Sequence, residues 1–259
     1  MEVRALPLPN LLRLIYRNIV VNTDPGSLVI LVGLPAMYLV FFGYGFASIT
    51  SNGAGTGYLA FLTPGIMSFQ VVMAGTVGGS ILWADRRWGM LAQLLSGPFT
   101  RLQYLLGIML TSLLFGLAGS VVMLGVALAL IGSIPTGLLA LGVIFGVITL
   151  GSIFFGSLML LLAALVKSNN AYNSIQILLI FVVNFASTVF YPLSNSLPIV
   201  LRALFIVNPL TYVADTVRGA YTGTLSATNG LEMLVLVVET AVVLFLAVRA
   251  YMRSQLAYE

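Results

Sequence analysis

The chain has 259 residues, of which 60% are hydrophobic and 7% are charged, and its formal net charge is +4. Soluble domains carry about 25% charged residues, so this composition excludes an ordinary soluble protein and is typical of a polytopic membrane protein. The sequence has no cysteine and no histidine, which excludes disulfides, Cys/His zinc sites and a Ser-His-Asp triad.

The chain has no nucleotide-binding motif of its own. Its only lysine, Lys167, follows apolar residues and not a glycine-rich loop, so there is no P-loop. We therefore expect no catalytic residue, no bound metal and no bound cofactor in this chain. The basic residues are scattered between apolar runs and form no stripe, which argues against nucleic-acid binding.

The apolar runs predict one all-α transmembrane domain over residues 1–259. An amphipathic helix over residues 8–22, with Arg13 and Arg17 on one face, is expected to lie in the membrane interface. Six transmembrane helices are predicted from runs long enough to cross about 30 Å of hydrocarbon. They cover about residues 27–49, 58–84, 102–131, 137–166, 174–190 and 231–251.

Residues 193–228, before the last span, differ from the other apolar runs. They contain two short apolar pieces, about 197–207 and 210–221, separated by Asn208-Pro209. Each piece is too short to cross a bilayer at 1.5 Å per residue. The pattern therefore predicts a re-entrant or interfacial helical hairpin.

The distribution of basic residues predicts the orientation, because cytoplasmic loops are enriched in arginine and lysine. With six spans both termini share one side, and that side holds nine of the eleven basic residues: Arg4, Arg13, Arg17, Arg86, Arg87, Arg101, Lys167, Arg249 and Arg253. The other side holds Arg202 and Arg218. We therefore predict a multi-pass protein of the cell inner (plasma) membrane with both termini cytoplasmic and the hairpin external.

The polar segment between the second and third spans, residues 84–101, predicts a short helix over residues 86–96. The spacings of Trp88, Leu91, Leu94 and Leu95 place them on one helical face, and Gly97-Pro98 ends the helix. One interpretation is that the leucines touch lipid headgroups, and the other is that the helix fits a groove on a soluble partner. The pattern alone favours the first interpretation.

Five residues within the spans are candidates for a pathway or a gate. Pro64-Gly65 is either a tolerated kink or a flexible point, and Gln70 and Asn184 either bridge helices or face a polar cavity. Glu239 is the only acidic residue well inside a predicted span, so it is either functional or a hydrogen-bonded packing residue. In the second span, after Gln70, the cluster Gly75, Gly78, Gly79 and Ser80 favours close helix packing.

In the hairpin, Asp215 and Arg218 are three residues apart and can pair on one helix. The pair is either a weak surface ion pair or part of an external gate. The tyrosines around the hairpin, including Tyr212, fit an aromatic belt at the membrane interface.

Three ordered segments resemble the membrane subunits of type 2 ABC exporters, which include drug-resistance, nodulation-factor and polysaccharide export permeases. Tyr58–Ile66 resembles the beginning of that family's second span, and Asn208–Tyr212 with Arg218 resembles its Asn-Pro hairpin motif. The segment from Gly89 through Leu94-Leu95 and Pro98 to Gly107 resembles the part that couples to the ATPase. The chain departs from the family at Ala92, where an acidic residue is usual, and at Ile108, where a basic one is usual.

The resemblance implies a permease dimer, with an identical second subunit, embedded in membrane lipid and bound to two copies of a cytoplasmic ATP-binding subunit. ATP and Mg²⁺ would lie on that partner. The implied coupling residues are Arg87, Trp88, Gly89, Met90, Leu91, Leu94, Leu95 and Pro98.

The sparse charge within the spans favours an amphiphilic, lipid-like or drug-like substrate, exported by alternating access. The alternatives are a proton-coupled secondary transporter that uses Glu239 and a non-transporting membrane scaffold. A secondary transporter is expected to contain an internal repeat, and the sequence has no convincing repeat.

Overall fold

A computed structural model describes residues 9–49, 55–131, 137–194 and 197–253, and these residues contain helices and no strand. The helices are α1 (Asn10–Val21), α2 (Pro25–Leu28), α3 (Leu34–Ile49), α4 (Gly55–Arg87), α5 (Met90–Ser96), α6 (Arg101–Ile131), α7 (Leu138–Leu165), α8 (Asn169–Phe185), α9 (Ile199–Val207), α10 (Pro209–Thr222) and α11 (Ala227–Arg253). The predicted all-α class is confirmed. Arg4, residue 8, hairpin residues 195–196 and residues 254–259 lie outside the described part of the chain.

Among the described residues, five segments are long and apolar enough to cross a membrane. They are Pro25–Gly43, Gly57–Arg87, Arg101–Ala129, Leu138–Leu165 and Ala227–Arg253. Helices α9 and α10 are bent by 73° relative to each other, and they bring the number to six if they count as one broken span. Five predicted spans therefore have a helical counterpart among these segments.

The predicted span over residues 174–190 differs from the structure. Helix α8 begins earlier, at Asn169, and ends at Phe185 after 17 residues, which is roughly 25 Å at 1.5 Å per residue. It ends because side chains compete for the backbone: the Ser187 hydroxyl donates to the Asn184 carbonyl (2.7 Å) and accepts from the Val189 amide (3.3 Å). Residues 186–190 continue as buried turns.

The first span contains a π-helical stretch, Val29–Gly33, which joins α2 to α3. Pro35, the second residue of α3, has no N–H to donate to the carbonyl of Leu31 in this stretch. A π-helical turn is a common way for a helix to absorb such a missing bond. The first span, predicted over residues 27–49, is therefore helical on both sides of Pro35.

Helix α4 is the centre of the bundle and is buried over most of its length. Its small residues allow neighbouring backbones to come close. A Cβ atom added at Gly75 would lie 2.7 Å from the Phe155 carbonyl oxygen of α7, and one added at Gly79 would lie 2.8 Å from the Met159 Cβ of the same helix. The predicted packing role of the glycine cluster is confirmed, because these contacts exclude any side chain.

The hairpin consists of α9 and α10, which meet at Asn208-Pro209 as predicted. The Asn208 side chain caps α10 by accepting from the Leu210 amide (3.0 Å). Its amide also donates to the carbonyls of Val183 and Ala186, each at 2.7 Å. Asn208 therefore ties the bend to the end of α8. Most of α10 is buried against α4 and α7, whereas α9 exposes an apolar face.

Candidate functional site

The segment after α4 forms a sharp elbow, which we define as Arg87–Pro98. Helix α4 continues to Arg87, Trp88 lies in the turn, and Gly89 has φ +69°, a left-handed conformation that favours glycine. Helix α5 is therefore shorter than the predicted helix over residues 86–96. The elbow ends at Pro98, whose carbonyl accepts a hydrogen bond from the Asn10 side chain (2.9 Å).

The apolar face of α5 points into the protein. Leu91 is 0% exposed, and Leu94 and Leu95 pack partly buried around the same cluster. Trp88 is 74% exposed and Met90 is 38% exposed. The prediction that Trp88 shares a helical face with the leucines is wrong, because the positive φ at Gly89 interrupts the helical period between them.

Leu91 belongs to a buried group at one end of the bundle, which we call the basal cluster. The group contains residues from α1, α4, α5, α6, α7, α8 and α11. Its members are Leu14, Ile81, Leu82, Trp83, Leu91, Tyr104, Leu105, Ile108, Leu160, Ala163, Tyr172, Ala247 and Tyr251. The elbow is therefore anchored where most of the helices meet.

Asp85 forms a buried polar centre beside the basal cluster. It is 5% exposed, and its carboxylate accepts hydrogen bonds from both terminal nitrogens of Arg17, one at 2.7 Å. The Tyr104 hydroxyl also donates to it (2.7 Å). The hydrogen bonds that Arg17 donates to Asp85 raise the pKa of Arg17. The sequence interpretation, in which Arg17 lies on one face of an interfacial helix, missed this long-range pair.

Helix α1 packs along α6, and this packing is what brings Arg17 to Asp85. Leu14 covers Gly107, where an added Cβ atom would lie 3.1 Å from the Leu14 Cβ. Asn18 is buried and donates to the Thr111 hydroxyl (3.4 Å). One side of α1 is thus covered by protein.

Arg86 and Arg101 bind the C-terminal ends of two other helices. Arg86 is buried and donates to the carbonyls of Ala163 (3.0 Å) and Ala164 (3.2 Å) in the last turn of α7. Arg101 donates to the carbonyl of Met252 near the end of α11 (2.9 Å). A cation at a helix C-terminus satisfies free carbonyls and complements the helix dipole. The ends of α4 and α6 are thereby tied to α7 and α11.

The predicted pair in the hairpin is confirmed, and it is part of a larger network. Arg218 donates to Asp215 (2.7 Å) and to the carbonyl of Thr188 (2.8 Å), and its guanidinium lies 3.8 Å from the ring centre of Phe61. The Thr188 hydroxyl also donates to Asp215 (2.7 Å). Tyr212 donates to the carbonyl of Ile206 (2.6 Å). The network fastens α10 to α4 and to the turns after α8.

The structure does not bring the five candidates within the spans together. Pro64, Gly65 and Gln70 are buried in α4, and neither amide atom of Gln70 has a hydrogen-bond partner in the described part of the chain. Asn184 lines a groove of about 420 Å³ between the first span, α4 and α8, and the other four candidates do not line it. Glu239 is half-buried on α11.

Comparison with known proteins identifies the family. A family model described as ABC-2 type transporter matches residues 11–222, which include the elbow, the basal cluster up to Tyr172 and both hairpin helices. A search of curated proteins gives no significant match. The matched family is the membrane component of an ABC transporter, without an ATPase site of its own, and its partner is an ABC ATP-binding protein. The chain therefore belongs to the ABC-2 type transporter family and is a multi-pass membrane permease.

Proposed function

We propose that this permease exports an amphiphilic, lipid-like or drug-like substrate from the cytoplasm by ATP-driven alternating access. It does so as a dimer, with two copies of an ATP-binding subunit docked on the elbow. The observation that carries the proposal is the division of the elbow into two sides. Trp88 and Met90 are exposed, whereas Leu91 is fully buried in the basal cluster.

Six crossings are supported by the path of residues 169–190 along α4. At one end Trp83 donates to the Asn169 side chain (2.8 Å), and at the other the Tyr58 hydroxyl donates to the Phe190 carbonyl (2.9 Å). From Tyr58 to Trp83, α4 extends roughly 37 Å, more than the hydrocarbon thickness of about 30 Å. Helix α8 and the turns after it therefore traverse the same layer as α4.

A re-entrant hairpin is supported by the positions of its two ends. The chain before the hairpin contacts Tyr58 through Phe190, and the end of α10 contacts Phe61 through Arg218. Both contacts are at the beginning of α4, so the chain leaves and returns at one end of the bundle. The opposite end carries the elbow and most of the basic residues, which supports the proposal that this end and both termini are cytoplasmic.

The coupling mechanism follows from the contacts of the elbow and of the last turn of α4, which directly precedes it. Closure of the ATP-binding subunits displaces the exposed side of the elbow. Because Leu91 packs against several helices and Arg86 binds the end of α7, that displacement reaches the spans as a rigid-body movement. Asp85 transmits it to α1 and α6 through Arg17 and Tyr104. Packed interfaces switch between discrete arrangements, which suits alternating access.

The substrate class is inferred from the groove between the first span, α4 and α8. Its walls are mainly apolar, and four polar side chains, Thr76, Ser80, Gln176 and Asn184, line it. Apolar walls with a few polar groups are typical of sites that bind uncharged or amphiphilic molecules. A small hydrated ion would find no charged ligand among these lining residues.

Truncation of the exposed elbow side chain tests the function. The permease is co-expressed with the candidate ATP-binding subunit, and complex formation and substrate-stimulated ATPase activity are measured for Trp88→Ala. Loss of a tryptophan at the centre of an interface weakens association by roughly 30-fold. Tyr16→Ala is the matched control, because Tyr16 is an exposed aromatic residue on α1 outside the elbow.

Substitutions on the buried side of the elbow cannot test docking of the ATP-binding subunit. A polar substitution at Leu91 would disturb the basal cluster itself, so only the exposed positions distinguish docking from folding. Undiminished complex formation and ATPase stimulation in a Trp88→Ala, Met90→Ala double variant would show that the ATP-binding subunit docks elsewhere.

A further inference from the structure

A second groove, of about 510 Å³, lies between α7 and α11 at the elbow end of the bundle. We call it the arginine groove. It is formed by one continuous stripe from each helix, because its residues are spaced three and four apart. The stripes are Leu161, Ala164 and Leu165 on α7, and Leu246, Arg249, Ala250 and Arg253 on α11.

The charge of this groove is unbalanced. Arg249 and Arg253 are exposed one helical turn apart, and neither has a hydrogen bond or an ion pair within the described ranges of the chain. Two other arginines at this end of the bundle, Arg86 and Arg101, already donate hydrogen bonds to C-terminal carbonyls of α7 and α11. Two guanidinium groups therefore remain available for an anion.

The remaining lining is apolar, and this decides the kind of anion. Leu161, Leu165 and Leu246 form a wall beside the two guanidiniums, so one ligand can satisfy both only if it joins an anionic group to a hydrocarbon chain. Guanidinium groups recognise phosphate oxygens in a bidentate manner. Basic pockets between membrane helices on the cytoplasmic side bind anionic lipid headgroups.

We propose that the arginine groove binds an anionic phospholipid such as phosphatidylglycerol. Its phosphate lies between Arg249 and Arg253, and an acyl chain lies along the leucines. The lipid bridges α7 and α11, two helices that the basal cluster also joins. The leaflet assignment depends on the proposed orientation, whereas binding itself does not depend on export or on the ATP-binding subunit.

Lipid titration of the purified full-length permease tests this site. Phosphatidylglycerol and phosphatidylcholine with identical acyl chains are added, and the bound lipid is counted by native mass spectrometry. Phosphatidylglycerol is expected to be retained and phosphatidylcholine lost. Each arginine near an anionic headgroup contributes about fivefold in affinity, so the double variant Arg249→Gln, Arg253→Gln should bind phosphatidylglycerol roughly 25-fold more weakly.

Three controls make the result specific. Arg202→Gln removes an exposed arginine at the other end of the bundle and should leave the titration unchanged. The double variant Arg249→Lys, Arg253→Lys keeps the charge but loses the bidentate geometry, so its affinity should lie between those of the unmodified permease and the glutamine variant; this partial rescue separates lost recognition from misfolding. Millimolar inorganic phosphate should not displace the lipid, because it has no hydrocarbon to occupy the leucine wall.

Several results would overturn the proposal. They are equal retention by the glutamine double variant, equal weakening by Arg202→Gln, or displacement of the lipid by inorganic phosphate. If the glutamine variant instead loses its complex with the ATP-binding subunit while the lipid titration is unchanged, the groove binds protein and not lipid.

Discussion

At the scale of single residues, Asp85 is expected to contribute most to stability, because its buried carboxylate joins α4 to α1 and α6. We predict that Asp85→Asn lowers the free energy of unfolding by about 2–3 kcal/mol, because it leaves the Arg17 guanidinium without its counter-charge. The effect is smaller than for a fully buried pair, since 28% of the Arg17 side chain is exposed. Denaturation of the detergent-solubilised permease measures this change in the free energy of unfolding.

Asp24 provides the matched control for Asp85. It is an exposed aspartate that accepts from the Ser27 amide (3.1 Å) at the beginning of α2. Asp24→Asn is expected to change the free energy of unfolding by less than about 1 kcal/mol, because asparagine also caps helices well. Equal destabilisation by the two substitutions would mean that the pair with Arg17 contributes nothing.

Glu239 separates the two transport mechanisms at the same scale. One of its carboxylate oxygens, Oε2, is buried and has no hydrogen-bond partner in the described ranges of the chain. If energy comes from ATP, Glu239→Gln keeps the shape of the side chain and should change the transport rate by less than about twofold. Uptake into inverted vesicles with ATP, or with a proton gradient alone, measures this rate. Loss of transport with an intact ATPase response would favour the proton-coupled alternative.

At the scale of elements, the angle between α4 and α5 depends on Gly89. We predict that Gly89→Ala destabilises the permease by about 1–2 kcal/mol, because an alanine side chain disfavours a positive φ. An added Cβ atom would meet nothing within 4 Å, so the effect is conformational and not steric. A changed elbow angle should also reduce transport several-fold per ATP hydrolysed, measured in proteoliposomes with the ATP-binding subunit.

The end of α10 offers a control for the elbow. Gly223 has φ +72° and equally open surroundings, but it lies beside the hairpin. Gly223→Ala should cause the same loss of stability and leave transport per ATP unchanged. If both variants uncouple transport equally, the elbow has no special part in coupling.

At the scale of the whole molecule, the topology can be tested by labelling, because the sequence contains no cysteine. Single substitutions Ser96→Cys, Leu193→Cys and Thr224→Cys lie in α5, between α8 and α9, and after α10, respectively. An impermeant maleimide should label the first only from the cytoplasm and the other two only from outside. Cytoplasmic labelling at Leu193→Cys would make the bent pair α9–α10 the sixth crossing in place of α8.

Much of the architecture is local in origin, and this part could be predicted. Apolar runs between charged or glycine-rich segments indicate spans because burial in hydrocarbon depends on each segment's own composition. Asn208-Pro209 indicates the hairpin bend because proline and a capping asparagine act within a few residues. The pair Asp215–Arg218 was found for the same reason, since its members are one helical turn apart.

The parts that the sequence analysis missed depend either on contacts between distant segments or on local signals that have more than one structural outcome. Nothing near Asp85 in the sequence indicates Arg17, which lies 68 residues away. The early end of α8 depends on one serine hydroxyl, a signal that also occurs inside continuous helices. The face of α5 was misread because periodicity carries across Gly89 only if the backbone remains helical there.

The sequence by itself determined a helical membrane protein, the approximate position of five spans and the break in the hairpin, because these follow from hydropathy and local backbone chemistry. Tertiary structure alone decided which side of the elbow is buried, which charges are paired, and which charges in the arginine groove have no partner within the described part of the chain. These properties depend on how helices far apart in the chain pack together, and hydropathy does not encode that packing.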